Sequence, residues 1–278
     1  MADIKEITKK LEDGVKAVFS SDRYQQYLDF TAKFYDYSVN NCILIMMQKP
    51  DASLVAGYRT WQTKFGRFVK KGEKAIQIIA PVPHKIKKEV DGEEKELHWN
   101  SYRAVSVFDV SQTDGDELPQ GVCKVLDADV EDFDTLIHKL EAVSPYPVRY
   151  ETISGSANGF CSFAEGKVVV KQGMSQLQTV KTLVHEISHA VLHSKGGEAH
   201  DTDKRTREVQ AESVAYCVCQ MLGLDTSDYS FGYVAGWSGD KDVKELSASL
   251  ALIQKTANEI VDEIKEDRLQ GKLTDGLE

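Results

Sequence analysis

The sequence predicts an α+β protein of two domains. Its 278 residues exceed an average single domain. The first part of the chain passes from helical periodicity into β-rich runs, and a segment dense in turn formers and acids at 113–121 then separates it from a second part built on strongly delimited helices. The expected division is residues 1–118, residues 122–270 and a short tail, 271–278.

Ile4, Ile7, Leu11, Val15 and Val18 recur at helical spacing, residues 22–35 are aromatic-rich and helical in pattern, and residues 40–48 read as a third short helix. Residues 75–82 and 102–110 read as strands, and the Lys- and Glu-dense stretch 84–100 between them as a solvated hairpin excursion. Beyond the turn-rich segment, residues 133–143 form a helix and residues 167–171 the clearest strand. A last helix is expected over 241–269, with Val243, Leu246, Leu250, Ile253, Ala257, Ile260 and Ile264 on one stripe; packing within its own domain is preferred to a coiled-coil dimer.

A net charge of −10 excludes a generally basic surface, so any nucleic-acid contact has to come from a local patch. The start of the chain lacks the apolar core of a signal peptide, and the longest aliphatic run, residues 43–47, is too short to cross a bilayer. The five cysteines are odd in number and scattered, as buried reduced thiols are. A cytoplasmic protein is expected.

The chemistry concentrates in residues 175–222. Ser175 with Gln178 resembles a capping box, Leu177, Val180, Val184, Ile187 and Val191 make an apolar stripe, and Gly196-Gly197 ends the run. On that helix His185 and His189 stand at i and i+4, so two imidazoles project together and can take adjacent corners of a zinc tetrahedron. Glu186 lies about a hundred degrees round the helix, where it reaches a metal-held water without ligating. Zinc lowers the pKa of such a water from about 15.7 towards about 7, and Glu186 takes its proton as the water attacks a polarised carbonyl. The HExxH pattern alone is moderately specific. The well-formed helix around it, and the strand 167–171 before it, read as an exposed edge where zincins lay a peptide, raise that specificity.

The next helix, expected over 204–222 with Asp201, Thr202 or Asp203 as its cap, offers Glu208 and Glu212 at the head of the stripe Ala211, Ala215, Val218 and Leu222. Two carboxylates there are costly to bury without a partner, and a zinc ion is a sufficient one. The bland alternative is that they favour the positive end of the helix. The pattern Glu208-Val-Gln-Ala211 followed by Val214-Ala215 resembles the third-ligand helix of glutamate-type zincins. That resemblance implies Glu208 as the ligand of one zinc per chain and Glu212 as the acid that orients a histidine. His193 is about 12 Å of helix rise from His185, which argues against a three-histidine site, and a supporting role near the helix end is expected. Cys217 and Cys219 point to different faces and read as core. Tyr216, Tyr229, Tyr233 and Trp237 are candidates for an oxyanion donor or cleft wall.

In the first domain, residues 58–74 carry Arg59, Lys64, Arg67, Lys70, Lys71 and Lys74 interleaved with Tyr58, Trp61, Phe65 and Phe68. Phosphates take such charges and unstacked bases take such rings, so the segment suits single-stranded nucleic acid. A core role for the aromatics, with a charged turn at 70–74, is equally physical. Tyr37-Ser38 with Asn40-Asn41, the block 55–61, Gly66-Arg67, the block 69–76, residues 107–113 and Leu118-Pro119 resemble, in order, the amino-terminal domain of ArdC-type antirestriction proteins. The half carrying His185 to Glu212 is similar to the zincin domain that follows it in that family, and the two resemblances together cover roughly residues 20–265. The resemblance implies single-stranded DNA binding through the first domain, centred on Trp61, Arg67, Lys70, Lys71, Lys74 and Arg59, and protection of incoming DNA of conjugative elements from host restriction. Two functions compete: a zinc metallopeptidase localised by its DNA-binding domain, and a non-catalytic escort of single-stranded DNA with a structural zinc. Glu186 favours the first, because a structural zinc has no use for that carboxylate.

Overall fold

The computed structural model describes residues 4–19, 21–90, 93–118, 133–226, 229 and 231–264. They form two compact units: residues 4–14 and 40–118 make one, and residues 15–39 with the described residues from 133 onward make the other. The chain passes from one unit to the other near residue 15, returns near 40 and crosses again between residues 118 and 133. The expected tail, 271–278, lies outside the described residues.

Helix α1 (Ile4–Val18) begins in the first unit, followed there by α3 (Val39–Gln48), β1 (Val55–Gly57), α4 (Tyr58–Phe65), β2 (Arg67–Val69), β3 (Ile76–Val90), β4 (Glu93–Asp109), a 3-10 turn at Val110–Gln112, and β5 (Thr113–Gly115). The sheet order is β1-β4-β3, antiparallel throughout, with β2 and β5 paired separately. The two expected strands are longer than their apolar cores. Ile76 pairs with Val107 and the ladder runs to Val90 opposite Glu93, so the charged excursion is the outer half of one hairpin. Helix α3 covers the other edge of β3 with two amides. Asn41 exchanges two 2.9 Å bonds with the backbone of Ile79, and Gln48 does the same with Gln77, which satisfies an edge that otherwise recruits another strand. Gly14 lets α1 approach α3: a Cβ there lies 2.3 Å from Met47 Sδ.

The block 107–113 is a knot of polar contacts. The Asp109 carboxylate accepts from the backbone N–H groups of Ser53, Leu54 and Ser111, and Gln112 accepts from Asp109 N while donating to Glu73 and Lys74 O. Residues 113–115, read from sequence as the start of a boundary loop, instead pair with β2. That pairing needs Gly115, at φ +130°, because a Cβ there meets Gly66 O at 2.5 Å.

The second unit holds α2 (Ser21–Lys33), α5 (Phe133–Val143), β6 (Val148–Glu151), β7 (Gly159–Ser162), β8 (Lys167–Lys171), α6 (Gln176–His193), α7 (Lys204–Met221), α8 (Val234–Ser238) and α9 (Val243–Ile264). Helices α6, α7 and α9 pack on one another and α6 lies on the sheet. Strand β8 is the middle strand, parallel to β6 and antiparallel to β7, with Val168, Val169 and Val170 fully buried. The exposed-edge reading of residues 167–171 is therefore corrected: three consecutive valines mark a strand covered on both faces. The edge beside α6 belongs to β7. Helix α2 packs on α7, where Tyr24 Oη and Ser213 Oγ are 2.8 Å apart and Tyr216 Oη donates to Asp29 at 2.6 Å. No helix among the described residues is long and apolar enough to cross a membrane.

Trp61 is also corrected. It is fully buried on α4 with Leu54 and Ala56, and its indole N–H donates to Phe108 O at 2.9 Å, so no base can stack on it. Replacing it with alanine is expected to lower the stability of the first unit by about 3–5 kcal/mol, read as an early unfolding transition in denaturant. A Trp61→Ala protein that unfolds like wild type but binds DNA less tightly reverses this assignment.

Candidate metal centre and cleft

Ser175 caps α6 by accepting from Gln178 N, and Asp203 caps α7 by accepting from Thr206 N. The expected reciprocal arm of the first cap is missing, since the Gln178 side chain donates to Thr182 Oγ1 instead. The two capped helices set three side chains around one point. His185 Nε2 and His189 Nε2 are 3.1 Å apart, and Glu208 Oε2 lies 3.7 Å from the first and 3.6 Å from the second. Zinc bonds of about 2.0–2.1 Å at tetrahedral angles separate ligand atoms by about 3.3 Å. The triangle brackets that spacing, and among the described residues this is the group of His, Cys, Asp and Glu able to hold an ion. Glu212, one turn on, has its carboxylate 2.9 Å from His185 Nδ1, on the far side of the ring. Distance thus separates the two glutamates that spacing left open.

His193, expected to support the site, sits fully buried between His189 and α7. Its Nε2 is 3.0 Å from Gln210 Oε1, an acceptor, so that nitrogen carries the proton. Its Nδ1, 3.0 Å from His189 Nδ1, is then the acceptor, and His189 Nδ1 donates. Gln210 is held in turn by Ser249 of α9, to which its Nε2 donates at 3.2 Å. His189 is thereby left with a bare Nε2 facing the point where the three side chains meet. Burial pushes His193 down to about 4, which keeps it neutral.

Glu186 is buried, and burial raises its carboxyl above the usual range, while the neighbouring imidazoles and the backbone of Cys161 oppose that rise. Gly159 of β7 makes room for it: a Cβ there lies 2.7 Å from Thr182 Cγ2, 2.9 Å from Val169 O and 3.1 Å from Glu186 Cγ. Two cavities open from Glu186 and His185. One of about 300 Å³ runs along the first half of α6 to Tyr229, and the other, about 720 Å³, passes Phe160, Phe163 and Lys204 beside Glu208. Of the four aromatic candidates, Tyr229 lines the smaller cavity, and Tyr233 is raised by burial and by Glu212 and Glu208. Tyr216 is bound to Asp29 and Trp237 donates to Thr206 Oγ1, so both serve the interior. Cys217 and Cys219 are buried in α7, as expected.

In the first unit, Arg67 is committed to β5: it donates to Thr113 Oγ1 at 2.8 Å, to Thr113 O at 3.1 Å and to Asp116 O. Lys70 donates to Ser111 O at 3.0 Å, and Arg59, Lys71 and Lys74 are exposed. The exposed rings of this segment are Tyr58 and Phe68, with Trp99 and Tyr102 on the β3–β4 hairpin. Gln210, Ser249 and Gly159 were missed from sequence. Gln210 follows Glu208 by two residues on a helix, a spacing that does not suggest they serve the same site.

An HExxH helix, an acid from the next helix and a small mixed sheet define the second unit as peptidase-like. Residues 146–219 match the IrrE N-terminal-like domain of the M78 peptidase family, and residues 3–108 match the N-terminal domain of anti-restriction factor ArdC. The chain thus joins a domain similar to the ArdC N-terminal domain to a domain similar to that of the M78 peptidases. Solved structures of the antirestriction ArdC protein from the R388 plasmid share the fold. The metal-free form has a TM-score of 0.56 at 21% identity over 82% of this chain and 84% of that one. The Mn(II)-bound form has 0.53 at 17% identity over 86% and 98%. An uncharacterized Bacillus anthracis protein, pXO2-81, is 27% identical over 94% of this chain, which spans about half (52%) of that protein's length.

Burial alone lowers the His185 imidazole, but the Glu208 and Glu212 carboxylates beside it outweigh it and lift it to about 10, while the two imidazoles hold Glu208 well below the carboxylate range. In metal-free protein the His185 contribution to stability is complete below its ordinary 6.5 and fades as pH rises through about 10. The Glu208 contribution is complete above its ordinary 4.5 and fades as pH falls. Metal binding at pH 7 is expected to release about one proton, and affinity to rise roughly tenfold per pH unit towards pH 10. Calorimetry in two buffers of different ionisation enthalpy checks this; no proton release at pH 7 contradicts it.

Proposed function

We propose that the chain is a zinc-dependent metallopeptidase joined to a single-stranded-DNA-binding domain, acting in the cytoplasm in antirestriction during transfer of a conjugative element. Residues 122–270 form the hydrolytic domain in this reading and residues 1–118 the DNA-facing one. The observation that carries it is a His2Glu ligand triangle with a separate buried carboxylate, Glu186, beside it in an open cleft. A divalent ion is supported by the Mn(II) held in the related ArdC structure, and zinc by the donor set, two imidazoles and one carboxylate with a fourth position open to the cleft.

His185, His189 and Glu208 hold the metal, which supplies Lewis acidity towards a peptide carbonyl and a water. An extended peptide lies along the outer edge of β7, and Tyr229 or Tyr233 offers a hydroxyl to the carbonyl oxygen. Glu186 takes a proton from the water as its oxygen bonds to the carbonyl carbon, and delivers that proton to the amide nitrogen as the C–N bond breaks. A carboxyl raised by burial suits both halves of that shuttle near neutral pH. The alternative, an escort with structural zinc, leaves the buried Glu186 and the room made for it by Gly159 without a use.

Glu186→Gln is expected to keep a full equivalent of zinc and to lower hydrolysis by on the order of 10² to 10⁴, whereas His185→Ala, His189→Ala and Glu208→Ala lose the metal. Proteomes of cells expressing wild type and Glu186→Gln identify the substrate by termini found only with wild type. Full zinc content after loss of both histidines ends this proposal.

For DNA, Arg59, Lys64, Lys70, Lys71 and Lys74 neutralise phosphates, with Tyr58 and Phe68 replacing Trp61 as stacking surfaces and Arg67 holding β2 to β5. Affinity for a single-stranded oligonucleotide is expected to fall with salt, and the double change Lys70→Ala, Lys71→Ala to flatten that dependence by about two phosphate contacts. An unchanged salt slope removes this surface from the DNA contact.

A further inference from the structure

The hairpin of β3 and β4 leaves the core of the first unit by way of an ordered pair of rings. Ile76, Ile78 and Ala80 are buried, and strand alternation puts Val82 and His84 further out on the same face of β3. Trp99 stands directly opposite His84 in the ladder, and the two rings stack with centroids 5.3 Å apart and planes 18° from parallel. His84 Nε2 lies 2.6 Å from Ser101 Oγ on that face, which fixes the imidazole that the indole rests on. One side of the indole is thereby occupied, yet the ring is still 50% exposed. A ring already ordered costs less to bind than one a ligand has to order. The exposed residues that follow it on the same face of β4 are Ser101 and Arg103, so it is an isolated ring in polar surroundings and not part of a broad apolar patch. Charge is distributed along the hairpin just as unevenly. Residues 76–88 and 97–108 contain no Asp or Glu, in a chain that has 44 of them, and they include Lys85, Lys87, Lys88 and Arg103, while the acids of the hairpin all fall between 89 and 96. A phosphate backbone following these strands meets no carboxylate from them until it reaches the tip.

We propose that the outer face of the Trp99 indole is a stacking platform for a base of single-stranded nucleic acid, with His84 as its positioning residue. Every base has a π-face, so such a platform binds without regard to sequence, and bases stacked inside a duplex have no face to give. The opposite face of the hairpin carries Tyr102, 61% exposed, and, six residues nearer the core, Phe108 with the Tyr58 ring against it. The hairpin thereby continues the surface that begins at Tyr58. This platform deepens the DNA-binding reading of the first unit and rests on it.

The test uses the full-length chain, an oligothymidylate of about 20 nucleotides and a duplex of the same length. Of the three tryptophans, Trp61 and Trp237 are buried, so Trp99 is the one whose emission reports on a ligand at the surface. Oligothymidylate is expected to quench that emission in a saturable way, and the duplex to leave it unchanged. Trp99→Ala is expected to weaken oligothymidylate binding about fivefold or more, measured by anisotropy of a labelled strand, and Trp99→Tyr to keep most of the affinity. His84→Ala loses less than Trp99→Ala. A stacked base releases no counterion, so the salt slope of Trp99→Ala matches that of wild type, unlike the slope expected for the Lys70→Ala, Lys71→Ala protein. Unfolding midpoints report whether the variants are folded; if Trp99→Ala is not, wild-type quenching and Trp99→Tyr still decide. Saturable binding without quenching, or with full affinity in folded Trp99→Ala, overturns the platform and leaves the DNA reading in place. Equal quenching by the duplex also overturns it. Weakened binding by Trp99→Ala beside an unchanged Lys70→Ala, Lys71→Ala protein keeps the platform and removes the basic turn, and a wild type that binds no oligothymidylate removes both.

Discussion

The hydrogen-bond chain from Ser249 through Gln210 and His193 to His189 decides which nitrogen of His189 faces the cleft, and Glu212 decides it for His185. An imidazole ligates a metal only through a deprotonated nitrogen, and which nitrogen that is follows from the hydrogen bond the other one makes. The chain draws one residue from α9, one from α7 and two from α6, so the packing of three helices and the protonation of the site are a single arrangement. Each member is buried, and a buried polar group without a partner costs about 1–3 kcal/mol. The apolar stripes of these helices press them together, but it is the polar chain that selects one rotational setting of each.

How far this was legible in sequence follows from the range of each interaction. His185, Glu186 and His189 are local, with their geometry contained in one helical turn, so five letters specify them. The third acid lies on another helix, where Glu208 and Glu212 differ by one turn and only the crossing of α6 and α7 distinguishes them. Residues 167–171 show why strand position is harder to read: the lysines at either end suggest an edge, yet β6 and β7 pair on either side and Val168, Val169 and Val170 are buried. The turn-rich letters of 113–115 likewise hid a strand, because its partner is 46 residues back at Arg67–Val69.

Residues 58–74 gave a composition that two physical roles fit equally, and the structure divides the segment between them. A helix of eight residues puts Trp61 inward and Arg59 and Lys64 outward. The aromatic contribution to the surface moves to Tyr58 and Phe68, each about half exposed. Arg67 has the right charge for a phosphate, but its guanidinium is spent on the carbonyls and hydroxyl of β5. Charge counted along a sequence therefore overstates what a ligand meets, and the exposed cations that remain are Arg59 and Lys64 on α4 and Lys70, Lys71 and Lys74 at the turn around Gly72.

Gly159 ties the sheet to the chemistry. The general base has to be buried enough to hold a raised carboxyl, yet within reach of a peptide that stays in extended form at a strand edge. Those demands conflict if the edge strand carries a side chain at the point where it crosses α6, because a Cβ there meets Thr182, the carbonyl of Val169 and Glu186 at once. A glycine lets β7 close down onto the helix, so that the backbone itself, through Cys161, covers and holds the Glu186 carboxylate. The outer edge of β7 then runs past the ligand triangle with Lys181 on one side and Phe160 on the other. In the hydrolytic reading proposed above, the strand that buries Glu186 is thus also the strand that positions the substrate, and a change at Gly159 acts on both through one contact.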